Sequence, residues 1–246
     1  NQCRMSDPQP LSSPPRSQEP LRRGLYLITP DEADTRRLLA RTNAVLQHAT
    51  LLQYRNKTAD AALKREQLTE LIPLCREHHV PLIVNDDLAL TLSAGADGVH
   101  LGEQDGDARV ARERLGPDAL IGVSCYDDLA RARLAAEAGA SYIAFGAFFP
   151  STTKPNARRA SFALLRDSEI FGLPRVAIGG ITPDNARSLV EAGADMLAVI
   201  SGVFDAPEGA EIGVIGWGST EGTIAEVVAE LRRDGTAVAH LQPKVL

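Results

Sequence analysis

Between residues 24 and 201 the chain alternates short, mostly apolar runs with longer stretches whose apolar positions recur at helical spacing. The short runs cover 25–29, 51–55, 81–85, 98–101, 120–124, 142–146, 175–179 and 196–201. Each has strand length, is rich in branched residues and is apolar on both faces, as expected of a strand covered by helices on both sides. Helices are expected between them, for example over 59–79, 126–138 and 183–192. Thr58 and Asp127 or Asp128 are candidate N-caps, and Pro183 suits a first turn. A weak repeat supports the count: Ala94-Gly95-Ala96-Asp97, Ala138-Gly139-Ala140-Ser141 and Ala192-Gly193-Ala194-Asp195 each pass from helix to strand. Glycine there suits a left-handed C-cap. Eight strands with intervening helices predict an α/β fold, a (β/α)8 TIM barrel over residues 21–205. An open doubly wound sheet is the alternative, disfavoured because no Gly-rich phosphate loop follows the first strand.

The two ends have a different texture. Residues 1–20 hold Pro8, Pro10, Pro14, Pro15 and Pro20 among Ser, Gln and Arg. So little apolar surface cannot offset chain entropy, and a disordered arm is expected. Met5 is the expected start, with Asn1 to Arg4 as upstream read-through. Residues 206–246 do not continue directly into a closing helix. Within them 220–233 is the expected helix, with Ile224, Val227, Val228 and Leu231 in an i, i+3, i+4, i+7 stripe. Ser219 or Thr220 would cap it and Gly235 would end it. It is expected to pack where the last barrel helix belongs, with 213–218 as a loop or an extra edge strand over the barrel.

Composition narrows the function. The 246 residues are 44% hydrophobic, 24% charged and only 4% aromatic, with a net charge of −6. These values exclude a disordered chain, a collagen and a disulfide scaffold. The acidic balance argues against a nucleic-acid duplex or an anionic membrane as main partner, and scarce aromatics against base stacking. No run of 18 apolar residues is present, and no apolar signal core opens the chain. Cys3, Cys75 and Cys125 fit no CxxC spacing and read as reduced thiols in a cytoplasmic protein.

In such a barrel, functional residues sit where strands end and loops begin. The second strand ends in Gln53-Tyr54-Arg55-Asn56-Lys57, and alternation sends Gln53, Arg55 and Lys57 to one side. Two cations and an amide at a barrel mouth suit a polyphosphate, and a solvated strand end with a salt bridge is the plainer alternative. Asn85-Asp86-Asp87 and His100-Leu101-Gly102-Glu103-Gln104-Asp105 end the third and fourth strands. Their carboxylates can share a hard cation such as Mg2+, while one of Asp86 and Asp87 is expected to cap the next helix. His100 is expected to be packed rather than a ligand. Ser124 ends the fifth strand. Ser151, Thr152, Thr153 and Lys154 follow the sixth, a set suited to phosphate oxygens or a surface turn. Gly179-Gly180 after the seventh and Ile200-Ser201-Gly202 after the eighth match the phosphate site that recurs in barrels, where backbone N–H groups bind the anion. No Ser-His-Asp order, HExxH or Walker loop is present.

Together the strings LLQYRNK, IVNDD, GVHLGEQD, IGVS, FGAFFPSTTKP, AIGGIT and AVIS resemble the thiamine-phosphate synthase family in order and spacing, over about residues 24–205. The resemblance implies a transferase that joins 4-amino-5-hydroxymethyl-2-methylpyrimidine diphosphate to thiazole phosphate and releases pyrophosphate, using Mg2+. It implies that Gln53, Tyr54, Arg55, Asn56, Lys57, Asn85, Ser124 and Lys154 hold the pyrimidine diphosphate, with Arg55, Lys57, Ser124 and Lys154 as catalytic residues. Asp86 and Asp105 match the Mg2+ ligands. Ser151, Thr152, Thr153, Gly180, Ile200 and Ser201 match the thiazole-phosphate contacts. Ser151 stands where the family usually has Thr, and GEQD replaces the commoner GQED while Asp105 keeps its place. The partners implied are small phosphorylated molecules; no oligomeric state is implied. A thiazole tautomerase and a non-catalytic phosphate-binding barrel are the alternatives. The diphosphate-side residues Arg55, Lys57, Asn85, Asp86 and Lys154 favour the synthase. Residues 213–246 resemble a fragment of the α subunit of 2-oxoacid:ferredoxin oxidoreductases, from which no activity is inferred.

Overall fold

The computed structural model describes residues 21–150, 158–200, 204, 212–215 and 238–241. Eight parallel strands close into a barrel in chain order, β1 through β8, with β1 paired to both β2 and β8. They are β1 (Gly24–Ile28), β2 (Ala49–Tyr54), β3 (Leu82–Asn85), β4 (Gly98–Leu101), β5 (Leu120–Tyr126), β6 (Tyr142–Gly146), β7 (Arg175–Ile178) and β8 (Met196–Val199). The helices between them are α1 (Thr35–Leu46), α2 (Ala61–Glu77), α3 (Leu88–Ala94), α4 (Ala108–Leu115), α5 (Leu129–Glu137), α6 (Phe162–Asp167) and α7 (Pro183–Glu191). The TIM barrel expected from the sequence is the fold found. No helix among the described residues is long and apolar enough to cross a membrane.

Strand alternation sorts the core into two layers. Tyr26, Ile28, Leu51, Ile83, Tyr142, Ala144, Val176, Met196 and Ala198 form one cluster that fills the barrel. Their strand neighbours, such as Leu25, Leu27, Leu52 and Val84 on one side and Val99, Ile121, Ile143 and Phe145 on the other, pack outward against the helices. This is why the strand runs read as apolar throughout: both faces are buried.

Local signals set the helix starts, with one correction. Asp128 caps α5 by accepting from Ala130 and Arg131, and Pro183 opens α7. The start of α2, however, is capped by Asp60, not Thr58. The Asn56 carboxamide oxygen takes the Thr58 hydroxyl and the Ala59 N–H, so a turn occupies these residues and the helix begins after it. Gly95 ends α3 in the left-handed region, at φ 68°.

The tail is described only in part. Residues Ile212–Ile215 form β9, but it pairs in parallel with β10 (Val238–Leu241) in a separate two-stranded sheet. A closed barrel has no free edge for an extra strand to extend. The expected helix over 220–233, and with it the replacement of the last barrel helix, lies outside the described residues, as does the arm over 1–20. Phe204 is buried against the outer layer near Leu38, Val45 and Val199, and its N–H bonds the Ile200 carbonyl at 3.1 Å.

The barrel end at the N-termini of the strands is fastened by Arg112. Its guanidinium donates to the carbonyls of Gly116, Pro117, Ala119 and Gly139 and to the Ser141 hydroxyl, at 2.7–3.1 Å. Removing it orphans several part-buried carbonyls at once. Arg112→Ala is therefore expected to cost about 2–4 kcal/mol in urea unfolding while leaving the activity of the folded protein unchanged.

Candidate active site

The mouth at the C-terminal ends of the strands gathers several of the expected residues. Between β2 and β3 lies a cleft of about 380 Å³ lined by Arg55, Lys57, Lys64, Asn85, Asp86 and Asp87, among others. Arg55 Nη1 lies 3.1 Å from Asp31 Oδ1, and the same carboxylate oxygen accepts the Lys57 N–H at 2.6 Å. Lys57 Nζ stands 3.7 Å from Asp86 Oδ2. The salt bridges of the plainer reading are thus present. Both pairs are partly exposed, so a more highly charged ligand can compete for the cations at small cost.

Asp86 and Asp87 divide the two expected roles. Asp87 caps α3 by accepting from Leu90 N–H at 2.8 Å. Asp86 is left to face the mouth, with its backbone at φ 63° and its N–H bonded to the His100 carbonyl across to β4. Burial and the neighbouring Asp105 carboxyl hold the Asp86 carboxyl above its ordinary range, against the opposing pull of Lys57 and Asn85. Asp105 also accepts from Gly102 N–H at 3.0 Å, which shapes the loop after β4. Two carboxyls from adjacent strand ends, one of which raises the proton affinity of Asp86, are a donor set a divalent cation would relieve. Their hard oxygens suit Mg2+, which keeps several waters. No cluster of three or more His, Cys, Asp or Glu ligands occurs among the described residues.

Not every residue of the second strand end turns to the mouth. The Tyr54 hydroxyl donates to Gln67 Oε1 at 2.7 Å on the helix side. Asn56 Nδ2 donates to the Glu32 carbonyl at 2.6 Å and to Gln67 Oε1 at 3.1 Å. These side chains hold the loop, so only their backbones remain for a ligand. Gln53 points into the barrel and donates to the Tyr26 hydroxyl. Ser124 Oγ bonds His100 Nε2 at 2.8 Å. His100 is packed as expected, and burial pushes its imidazole down to about 4, so it is neutral.

Gly179 (φ 103°) and Gly180 (φ 64°) need to be glycine twice over. A Cβ on Gly179 would meet Ala147 Cβ at 2.4 Å, and one on Gly180 would meet the Pro150 carbonyl at 2.2 Å. The turn after β7 thus presses on the base of the loop after β6. Ile200 follows β8 at the same end, half-buried. Ser151, Thr152, Thr153, Lys154 and Ser201 lie outside the described residues.

Four participants are not evident from the sequence. Asp31 follows β1, in the segment ITPDE, where a lone carboxylate gives no signal of a partner. Tyr26 and Tyr142 look like core aromatics, and only their inward parity hints at more. Arg158 bridges Glu103 at 3.0 Å and Asp127 at 3.6 Å and lies over the Tyr126 ring at 4.5 Å. It joins the end of the β6 loop to those after β4 and β5.

A family model described as thiamine monophosphate synthase matches residues 25–203. The chain belongs to this family. The family's members share its barrel, and the protein is accordingly an enzyme, a transferase. A thiamine-phosphate synthase of Xanthomonas campestris pv. campestris (strain 8004) is 61% identical over 186 residues, 76% of this chain and 90% of its own length. One of Xylella fastidiosa (strain 9a5c) is 54% identical over 199 residues, 81% of this chain and 84% of its own. Among solved structures, thiamine phosphate pyrophosphorylase from Pyrococcus furiosus superposes with a TM-score of 0.65 at 35% identity, over 75% of this chain and 89% of that one. The family match stops at residue 203, short of β9 and β10.

Proposed function

We propose that the protein joins 4-amino-5-hydroxymethyl-2-methylpyrimidine diphosphate to thiazole phosphate and releases pyrophosphate. The observation that carries this reading is the Asp86–Asp105 carboxyl pair beside Lys57 and Arg55, an arrangement suited to a diphosphate and its counter-cation. The bond from the pyrimidine methylene to the diphosphate oxygen breaks, and the electron pair leaves with the diphosphate. The ring amino group spreads the positive charge left on the methylene carbon. The thiazole nitrogen then attacks that carbon, forming the new C–N bond. No base is required, because the attacking nitrogen carries no proton.

The work of this chain is therefore neutralisation and orientation. Arg55 and Lys57, with Lys154 from the β6 loop, stabilise the charge that grows on the departing diphosphate. Gln53, Asn85 and Ser124 position the pyrimidine diphosphate. Gly180 and Ile200, with Ser151, Thr152, Thr153 and Ser201, bind the thiazole phosphate so that its nitrogen meets the reacting carbon. Asp86 and Asp105 would hold Mg2+, which when bound supplies further positive charge against the leaving group.

A coupled pyrophosphate assay tests the reading. Pyrophosphate release is expected only with both substrates and Mg2+. Interconversion of thiazole phosphate tautomers without any pyrophosphate would instead make the protein a tautomerase.

A further inference from the structure

Inside the barrel, beneath the mouth, five side chains from five strands form an unbroken hydrogen-bonded row. Gln53 Nε2 on β2 donates to the Tyr26 hydroxyl on β1 at 2.6 Å. The Tyr26 and Tyr142 hydroxyls, on β1 and β6, are 2.8 Å apart. The Tyr142 hydroxyl lies 2.8 Å from His100 Nδ1 on β4, and His100 Nε2 lies 2.8 Å from Ser124 Oγ on β5. Gln53, Tyr26, Tyr142 and His100 are each at least 93% buried. The rings are held in place as well: Tyr142 meets Tyr26 edge-on and stacks on His100. Gly122 leaves the space they fill, since a Cβ there would come within 2.1 Å of the Tyr142 hydroxyl and 2.5 Å of His100 Nδ1.

The proton positions in this row are not independent. An amide N–H can only donate, so the Tyr26 oxygen accepts from Gln53; either tyrosine oxygen could donate to the other, and sending the Tyr26 proton to Tyr142 is the arrangement that gives every proton in the row a partner. Tyr142, having accepted, gives its proton to His100 Nδ1. A neutral imidazole that accepts at Nδ1 carries its proton on Nε2 and donates it to Ser124 Oγ. Ser124, already accepting, has its O–H left to donate. At the other end the Gln53 amide oxygen is left to accept. Reversing any one link requires reversing all of them, or leaves two lone pairs or two protons facing each other without water.

We propose that Tyr26, Tyr142 and His100 are positioning residues that form a one-directional donor chain, fixing the Ser124 hydroxyl as a donor to ligand and the Gln53 amide oxygen as an acceptor. The ligand class that fits carries an N–H at one end and an anionic oxygen at the other. An aminopyrimidine bearing a phosphoryl group meets this requirement, an assignment that rests on the proposed function. An analogue with a hydrogen-bond acceptor in place of the amino group would oppose the Gln53 oxygen and could be received only by turning the whole row.

Two measurements test the chain. The first is the tautomer of His100 in the substrate-free wild type, read from long-range 1H–15N spectra of histidine-labelled protein and assigned by loss of its signals in His100→Gln. A single Nε2–H tautomer is expected. An Nδ1–H tautomer, or an average of the two, overturns the proposal without need of any functional variant. The second uses Tyr142→Phe, which deletes the central link while keeping the ring. Its His100 signals are expected to move to a tautomer average, and kcat/KM for the pyrimidine diphosphate to fall on the order of 10-fold to 100-fold, with KM for thiazole phosphate unchanged. Unchanged His100 signals in this variant also overturn the proposal. An Nε2–H tautomer in a protein that releases no pyrophosphate leaves the chain standing and removes only the pyrimidine reading.

Discussion

Asp86→Asn is expected to lower kcat/KM by about 100-fold or more while the protein remains fully folded, a loss of ~2.7 kcal/mol in transition-state stabilisation. The substitution is well matched to the backbone, because Asn tolerates the left-handed conformation that Asp86 adopts at φ 63°. It removes one of two facing carboxyls and leaves Asp105 alone. The stability effect runs the other way. Burial and Asp105 raise the proton affinity of the folded Asp86 carboxyl above that of the unfolded chain. As pH rises from acid, the unfolded state therefore ionises this group first, and Asp86 weakens the metal-free fold once pH exceeds its ordinary pKa. The Asn variant should then be at least as stable as the wild type at pH 7 without Mg2+, and its advantage should fade as pH drops below that range. Steady-state kinetics at excess Mg2+ and urea midpoints across pH check the two halves. Activity within about threefold of wild type would remove Asp86 from the site.

The largest stability loss is expected from Gly122→Ala, about 3 kcal/mol or more, with most activity lost as well. Gly122 is on β5 at an inward position of the barrel. Its missing side chain is where Tyr142 sits, and an added methyl would fall 2.0 Å from the Tyr142 ring carbon that bears the hydroxyl. The ring has nowhere to retreat, since Tyr26 and His100 pack against it on other sides. Either the strands part or the hydroxyl leaves His100, and both outcomes disturb the mouth above. Urea unfolding measures the first cost. An Ala variant as stable as wild type would show that the Tyr142 ring does not occupy this space.

Most of the barrel was legible in the chain because its causes are local. Runs such as 142–146 and 98–101 are apolar on both faces, and a segment like that is stable only between two layers of helices. Asp128 before α5 and Pro183 at the start of α7 act within one turn, so the sequence shows them directly. Thr58 misled because Asn56, two residues before it, competes for the same hydroxyl and moves the helix start to Asp60. The pairing of Ile212–Ile215 was not readable for a different reason: its partner β10 lies more than twenty residues downstream, and a closed barrel offers no edge.

For the site, the sequence by itself determined which chemical groups stand at the strand ends, because strand parity and the motif order fix them. It located Asp86, Asp105, Arg55 and Lys57 at neighbouring positions. Only the tertiary structure decided which of them meet. Tyr54 and Asn56 belong to the same QYRNK string as Gln53, yet the first two turn to Gln67 and the loop while Gln53 enters the barrel. Asp31 reaches Arg55 from 24 residues away, and Tyr26 reaches Tyr142 from 116. A hydrogen bond depends on a few tenths of an ångström and on what else each atom can reach. Those distances are set by closure of eight strands around one core, not by any spacing along the chain.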